Sequence, residues 1–118
     1  MKIPNRSGPA AEAEARRFLE TQGLVHRDSN YRSRFGEIDL VMDDQATVVF
    51  VEVRLRRNGR FGGAAASVSA AKQRKLLATA AIYLEQQRCG QRPARFDIVA
   101  FDGLGASPQW IRGAFQAS

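Results

Sequence analysis

The sequence predicts a mixed α/β domain with its elements in the order α-β-β-β-α-β-β. Three observations carry this prediction. Two segments, near 9–21 and 69–87, space their apolar residues at helical period between turn-forming residues. Between them, Thr47-Val48-Val49-Phe50-Val51-Glu52-Val53-Arg54 is rich in the β-branched residues that favour strands. Helical and strand segments also alternate along the chain, which favours a sheet with helices packed on its faces. A length of 118 residues fits one domain, residues 1–118, and a hydrophobic content of 44% is enough for one core.

Taken in order, residues 1–8 read as a flexible lead-in. Ser7-Gly8-Pro9 then offers a capping hydroxyl and a proline for the first turn of a helix. Ala11, Ala15, Phe18 and Leu19 form its apolar stripe, Glu12 and Arg16 can pair one turn apart, and Gly23 stops it. Residues 24–31 are a first strand of ragged pattern. Glu37-Ile38-Asp39-Leu40-Val41-Met42 alternates more clearly, and a turn at 43–46 or 44–47 joins it to the strand over 47–54 as a β-hairpin. Residues 55–68 change character: Arg56, Arg57 and Arg60 are basic while Gly59, Gly62 and Gly63 loosen the backbone, so a mobile basic loop is expected. The second helix has Leu76, Leu77, Ala80, Ala81 and Leu84 on its core face and Lys72, Arg74 and Lys75 in its first turns. Gly90 and Pro93 follow it. Phe96-Asp97-Ile98-Val99-Ala100-Phe101 is a further strand, and a short last element holds Trp110, Ile111 and Phe115. Strand adjacency beyond the hairpin stays open.

The net charge is +6 and the excess is largely arginine. A guanidinium presents a planar fork that matches phosphate oxygens, so nucleic acid is a natural partner; a solvated basic surface fits the charge equally well. Cys89 is the only cysteine, which excludes an internal disulfide and a cysteine zinc site. The first residues lack an apolar run of signal-peptide length and no stretch suits a bilayer span, so a cytoplasmic location without membrane contact is expected. His26, the only histidine, lies on the ragged strand and is given no catalytic role.

Charged residues inside an apolar strand need a partner, because an unpaired buried carboxylate is costly. Glu52 stands between Val51 and Val53, and alternation puts it on one face with Arg54. With either four-residue turn, Asp39 falls on that face too, and Glu37 shares the face of Asp39. The spacing permits a cluster of Glu37, Asp39, Glu52 and Arg54. Convergent carboxylates hold hard divalent cations such as magnesium or manganese, and such an ion activates water against a phosphodiester. A plain ion-pair network fits the same spacing: Glu52 with Arg54 or Arg32, and Asp39 with Arg34.

Phe35-Gly36-Glu37-Ile38-Asp39-Leu40-Val41 followed by Val49-Phe50-Val51-Glu52-Val53-Arg54 resembles the YraN family of uncharacterised bacterial proteins. That family is itself distantly similar to archaeal Holliday-junction resolvases and to the wider PD-(D/E)xK nucleases. The likeness extends over Gly8, Glu12 and Ala15, Asn30-Tyr31-Arg32, Phe61-Gly62, Lys72 and Phe96-Asp97-Ile98-Val99. It implies a restriction-endonuclease-like fold and a magnesium- or manganese-dependent endonuclease acting on DNA. It implies that Asp39 binds the metal, that Glu52 is the second acid and that Glu12 assists them, with Glu37 a supporting group or an exposed strand residue. The motif Glu-x-Lys reads Glu52-Val53-Arg54 here. Arginine stays protonated and can clamp a phosphate, yet it cannot act as a base. Arg56, Arg57, Arg60, Lys72 and Lys75 would suit a track along a DNA backbone. By the same resemblance a homodimer is expected, since resolvase-like enzymes act on two-fold symmetric junctions. Two alternatives stay open: a catalytically impaired nucleic-acid-binding module of nuclease fold, and a protein-interaction domain with a structural acidic cluster.

Overall fold

The computed structural model of the chain describes residues 8–56, 68–103 and 105–116. Arg57 and Arg60, with most of the expected loop and nearly all of the lead-in, lie outside the described residues.

The first helix, α1, is Pro9–Thr21. Pro9 stands at its start, where a missing N–H is harmless, and the N-cap is Gly8 rather than the expected Ser7 hydroxyl. Gly23 takes φ +97°, so that its N–H reaches the Glu20 carbonyl and the Leu24 N–H reaches that of Leu19. This closes the helix with paired carbonyls, and only a residue tolerant of left-handed backbone can sit there. The second helix, α2, is Ala70–Gln86, and its N-cap Ser69 accepts the Lys72 N–H at 3.1 Å.

Five strands form one mixed sheet: β1 Val25–Ser33, β2 Gly36–Asp44, β3 Thr47–Leu55, β4 Ala94–Phe101 and β5 Gln109–Phe115. They lie side by side in chain order. All neighbours are antiparallel except β3 and β4, which run parallel because α2 carries the chain back between them. The expected element order and the β2–β3 hairpin are therefore present, and the closing turn pairs Asp44 with Thr47. Each sheet face buries a helix. Ala11, Ala15 and Leu19 of α1 pack on Leu40, Met42, Val49, Val51 and Val53. Leu76, Ala80 and Tyr83 of α2 pack on Val48, Phe50, Phe96 and Ile98 across the sheet. Phe101 is core, while Trp110 is partly buried against the α1-side core and Phe115 against the α2-side core.

Arginines clamp the closed end of the β2–β3 hairpin. Asp43 accepts Arg92 Nη2 at 2.7 Å and Arg27 Nη1 at 3.2 Å, and Asp44 pairs with Arg95 at 2.9 Å. Fully buried Asp97 accepts from Arg95 Nε, Trp110 Nε1 and Gly113 N, each at 3.0 Å. Those bonds satisfy its oxygens and hold β5 to β4, as a buried carboxylate requires. Among the described residues no helix is long and apolar enough to cross a membrane.

Candidate functional site

The other end of the hairpin is open. The β2–β3 ladder runs from Asp44–Thr47 only as far as Leu40–Val51. Beyond it, β2 continues against β1 as far as Gly36, and β3 continues against β4 as far as Leu55. The two strands therefore part in a fork. One step past the last pair, Asp39 and Glu52 stand across from each other. Alternation breaks here: Ile38 packs in the α2-side core and Leu40 in the α1-side core. Asp39 lies between, and its Oδ2 accepts the Val53 N–H at 2.8 Å. The carboxylate thus replaces the carbonyl that a continued ladder would have offered.

Glu52 is on the α2 face of β3, and its side chain is only 6% exposed. Two cations stand on its Oε2: Lys72 Nζ at 3.3 Å and Arg54 Nη1 at 3.7 Å. Burial pushes the Asp39 carboxyl up, and the neighbouring charge of Glu52 adds to this. The Val53 N–H pulls the other way, while Glu12 and Glu37 add smaller repulsions, and the result is a pKa of about 8. Around this pair, the Asn30 side-chain amide donates to Glu12 Oε1 and to Glu37 Oε2, both at 3.0 Å. Asn30 holds its place with φ +53°, a conformation that asparagine tolerates better than most residues.

A cavity of about 450 Å³ fills the fork. Asp39, Glu52 and Glu37 line it together with Arg32, Lys72, Lys75 and Phe35. Arg32 pairs with Glu37 at 3.7 Å, and Arg34 lies over the Phe35 ring, 4.8 Å from its centroid. Of the ion pairs the spacing allowed, Glu52–Arg54 is present. Arg54 itself is buried behind Glu52 and is not among the residues lining the cavity, whereas Lys72 is. Arg56 reaches Asp102 at 3.3 Å and Gln109 at 3.4 Å, outside the cavity. His26 Nε2 shares a hydrogen bond with Ser29 Oγ at 2.8 Å.

Sequence reasoning assigned no role to Asn30 and placed Lys72 on a DNA track rather than on Glu52. The family pattern includes both, and that is the one signal that singled them out. Among the described residues no group of three His, Cys, Asp or Glu side chains is gathered as a metal cage. Two carboxylates are nevertheless the donor set a magnesium ion takes, since it keeps several waters and shares its remaining positions with substrate phosphates. Burial raises Asp39 first and the charge of Glu52 second, and a bound cation would offset both, so Asp39 and Glu52 fit one such ion.

Comparison with known proteins gives a consistent picture. A family model described as "Uncharacterised protein family UPF0102" matches residues 11–101. A UPF0102 protein of Methylobacillus flagellatus is 54% identical over 111 residues, covering 93% of this chain and 96% of the relative. One from Nitrosomonas europaea is 50% identical over 119 residues and covers 100% of both chains. The UPF0102 protein YraN of Salmonella newport is 51% identical over 112 residues, covering 93% of this chain and 84% of its own.

Proposed function

Given that the chain belongs to the UPF0102 family, we propose that it is a metal-dependent endonuclease hydrolysing phosphodiester bonds of DNA. This is the family that the paired motifs at 35–41 and 49–54 resemble, and its description names no activity. The observation that carries the proposal is the fork, where Asp39 and Glu52 share one cavity with the Lys72 ammonium 3.3 Å from Glu52.

Asp39 and Glu52 would hold the magnesium or manganese ion, which when bound polarises the phosphodiester and acidifies a water. Lys72 supplies the compact cation that Glu52-Val53-Arg54 lacks. Its Nζ can donate a hydrogen bond to an attacking water while a Glu52 oxygen accepts one, orienting the water towards phosphorus. Arg54 stands behind Glu52 and keeps positive charge beside the site as charge develops on the phosphate. Glu12 and Glu37, tied together through Asn30, brace the α1 side. Lys75 and Arg32 on the cavity wall suit the flanking phosphates, and Arg56, Arg57 and Arg60 are candidates for further phosphates, the last two outside the described residues. A four-way junction is the substrate to try first, and its two-fold symmetry would call for a homodimer.

A second reading, a nucleic-acid-binding module without catalysis, is favoured by one observation. Arginine replaces the motif lysine, and Lys72 already occupies Glu52. A cleavage panel separates the two. Duplex, single-stranded, flapped and four-way-junction DNA would be incubated with magnesium or manganese and wild type, Asp39→Asn, Glu52→Gln or Lys72→Ala, purified identically. Cleavage that needs metal and fails in all three variants supports the nuclease. Binding without cleavage on every substrate establishes the module instead.

A further inference from the structure

Only two large hydrophobic side chains among the described residues are exposed, Val25 and Phe35. A single exposed hydrophobe is ordinary. Val25 fits that description, at the start of β1 beside the arginine clamp. Phe35 differs in three ways. The residue is 41% exposed, yet it forms part of the wall of the cavity lined by Asp39 and Glu52. Arg34 places its guanidinium over the ring, 4.8 Å from the centroid. The backbone beneath is also pinned. Phe35 N–H donates to Ser33 Oγ at 3.0 Å, and Ser33 Oγ shares a 2.8 Å bond with Thr79 Oγ1. Thr79 is fully buried on α2 and donates to the Lys75 carbonyl at 2.9 Å. A hydroxyl has one proton to give, so the chain of bonds runs one way, from Phe35 N–H through Ser33 and Thr79 to Lys75.

Burial alone does not account for this arrangement, because Phe35 at the end of the chain of bonds remains exposed. A rigidly presented aromatic ring with arginine against it, beside a basic cavity rim, is the chemistry that stacks a nucleobase. Bases within a duplex already have both faces covered, so only an unpaired or splayed base can use such a platform. We propose that Phe35, with Arg34, is a stacking subsite for an unpaired nucleobase adjoining the phosphate that a cation at Asp39 and Glu52 would take. The inference rests on the nuclease reading for what the neighbouring cavity binds. It adds a preference for single-stranded or branched DNA over plain duplex.

The test measures binding rather than cleavage. In EDTA, fluorescence anisotropy would follow the full chain on three labelled DNAs. One is a plain duplex, one the same duplex with a single unpaired base at a nick, and one that nicked DNA with an abasic residue in place of the base. Wild type should bind the unpaired base about tenfold more tightly than its abasic counterpart, within the range of a single stacked base. Phe35→Ala should lose that preference and bind plain duplex as before, while Phe35→Tyr should keep it. Thr79→Val, which unpins the turn, should weaken the preference with the ring still present. Equal losses on all three DNAs, or an undiminished preference in Phe35→Ala, would overturn the subsite and leave the nuclease reading standing. No binding to any of the three, in EDTA and again with calcium in its place, would remove both.

Discussion

The two ends of the β2–β3 hairpin use the same residue types to opposite effect. At the closed end, Asp43 and Asp44 meet Arg27, Arg92 and Arg95 at 2.7 to 3.2 Å. Charge there fastens β1, β2, β4 and the turn before β4 to one another. At the fork, Asp39 accepts a backbone N–H instead of an arginine, and the largest charge effect on it comes from another acid. A purely structural ion-pair network would have built the fork like the clamp. An acid left under repulsion lowers stability and persists where a bound cation compensates it, which is the physical case for reading the fork as the site.

The widest separation between the two ends should be in activity. If the proposed nuclease is correct, Asp39→Asn lowers metal-dependent cleavage on the order of 10³-fold, as loss of a charge that stabilises the transition state does. Asp43→Asn leaves it nearly unchanged at a temperature where the variant is folded. Equal losses from both would mean that the acids matter only through folding. Stability should show the opposite order. In EDTA, Asp43→Asn takes the negative charge and one of the two acceptor oxygens from the two half-buried arginines and should cost about 1–3 kcal/mol by urea denaturation. Asp39→Asn keeps an oxygen for the Val53 N–H, is neutral without having to take up a proton on folding and should stabilise the fold at neutral pH.

The pH dependence sharpens this contrast. Asp39 is raised to about 8 in the folded chain from an ordinary 3.8. Between those values the folded state holds a proton that the unfolded state has lost. Stability from this group is therefore complete below pH 4 and declines as pH rises towards 8, with a limiting slope of about 1.4 kcal/mol per pH unit for one proton. The stability difference between wild type and Asp39→Asn in EDTA should widen over that window. Magnesium should narrow it by favouring the ionised carboxylate. A difference that stays flat with pH would mean that Asp39 is ionised as an ordinary surface acid.

Local pattern carried the element order, the hairpin and the face of Glu52, because strand alternation and helix caps are properties of neighbouring residues. It also put Asp39 near Glu52, on the argument that both share a face. The structure brings them together differently, since the fork breaks alternation between Ile38 and Leu40 and turns Asp39 towards the Val53 backbone. Where a ladder ends depends on which strands lie on either side, and no single segment encodes that. Lys72 reaches Glu52 because α2 packs on the face of β3 that carries Glu52, a contact between residues 20 apart in sequence. The clamp at Asp43 was equally hidden, for Arg92 arrives there only through the parallel pairing of β3 with β4. Asn30 needed a left-handed backbone to bridge Glu12 and Glu37, and composition does not announce one.

The smallest expected effect tests whether position or mere charge draws DNA. Lys75 lines the cavity and Arg92 sits in the clamp, and replacing either with alanine removes one positive charge. If the whole basic surface attracts DNA, both variants should change the salt dependence of binding alike. If phosphates lie along the fork, Lys75→Ala should make the slope of log K against log salt shallower by about one unit, with a loss of affinity of only a few fold. Arg92→Ala should leave the slope alone and show itself in thermal denaturation instead, because Asp43 keeps only Arg27 and the Ala46 carbonyl loses the Arg92 donor. Equal slopes for Lys75→Ala and wild type would move the phosphate track off the cavity wall, even if Asp39 and Glu52 kept their roles.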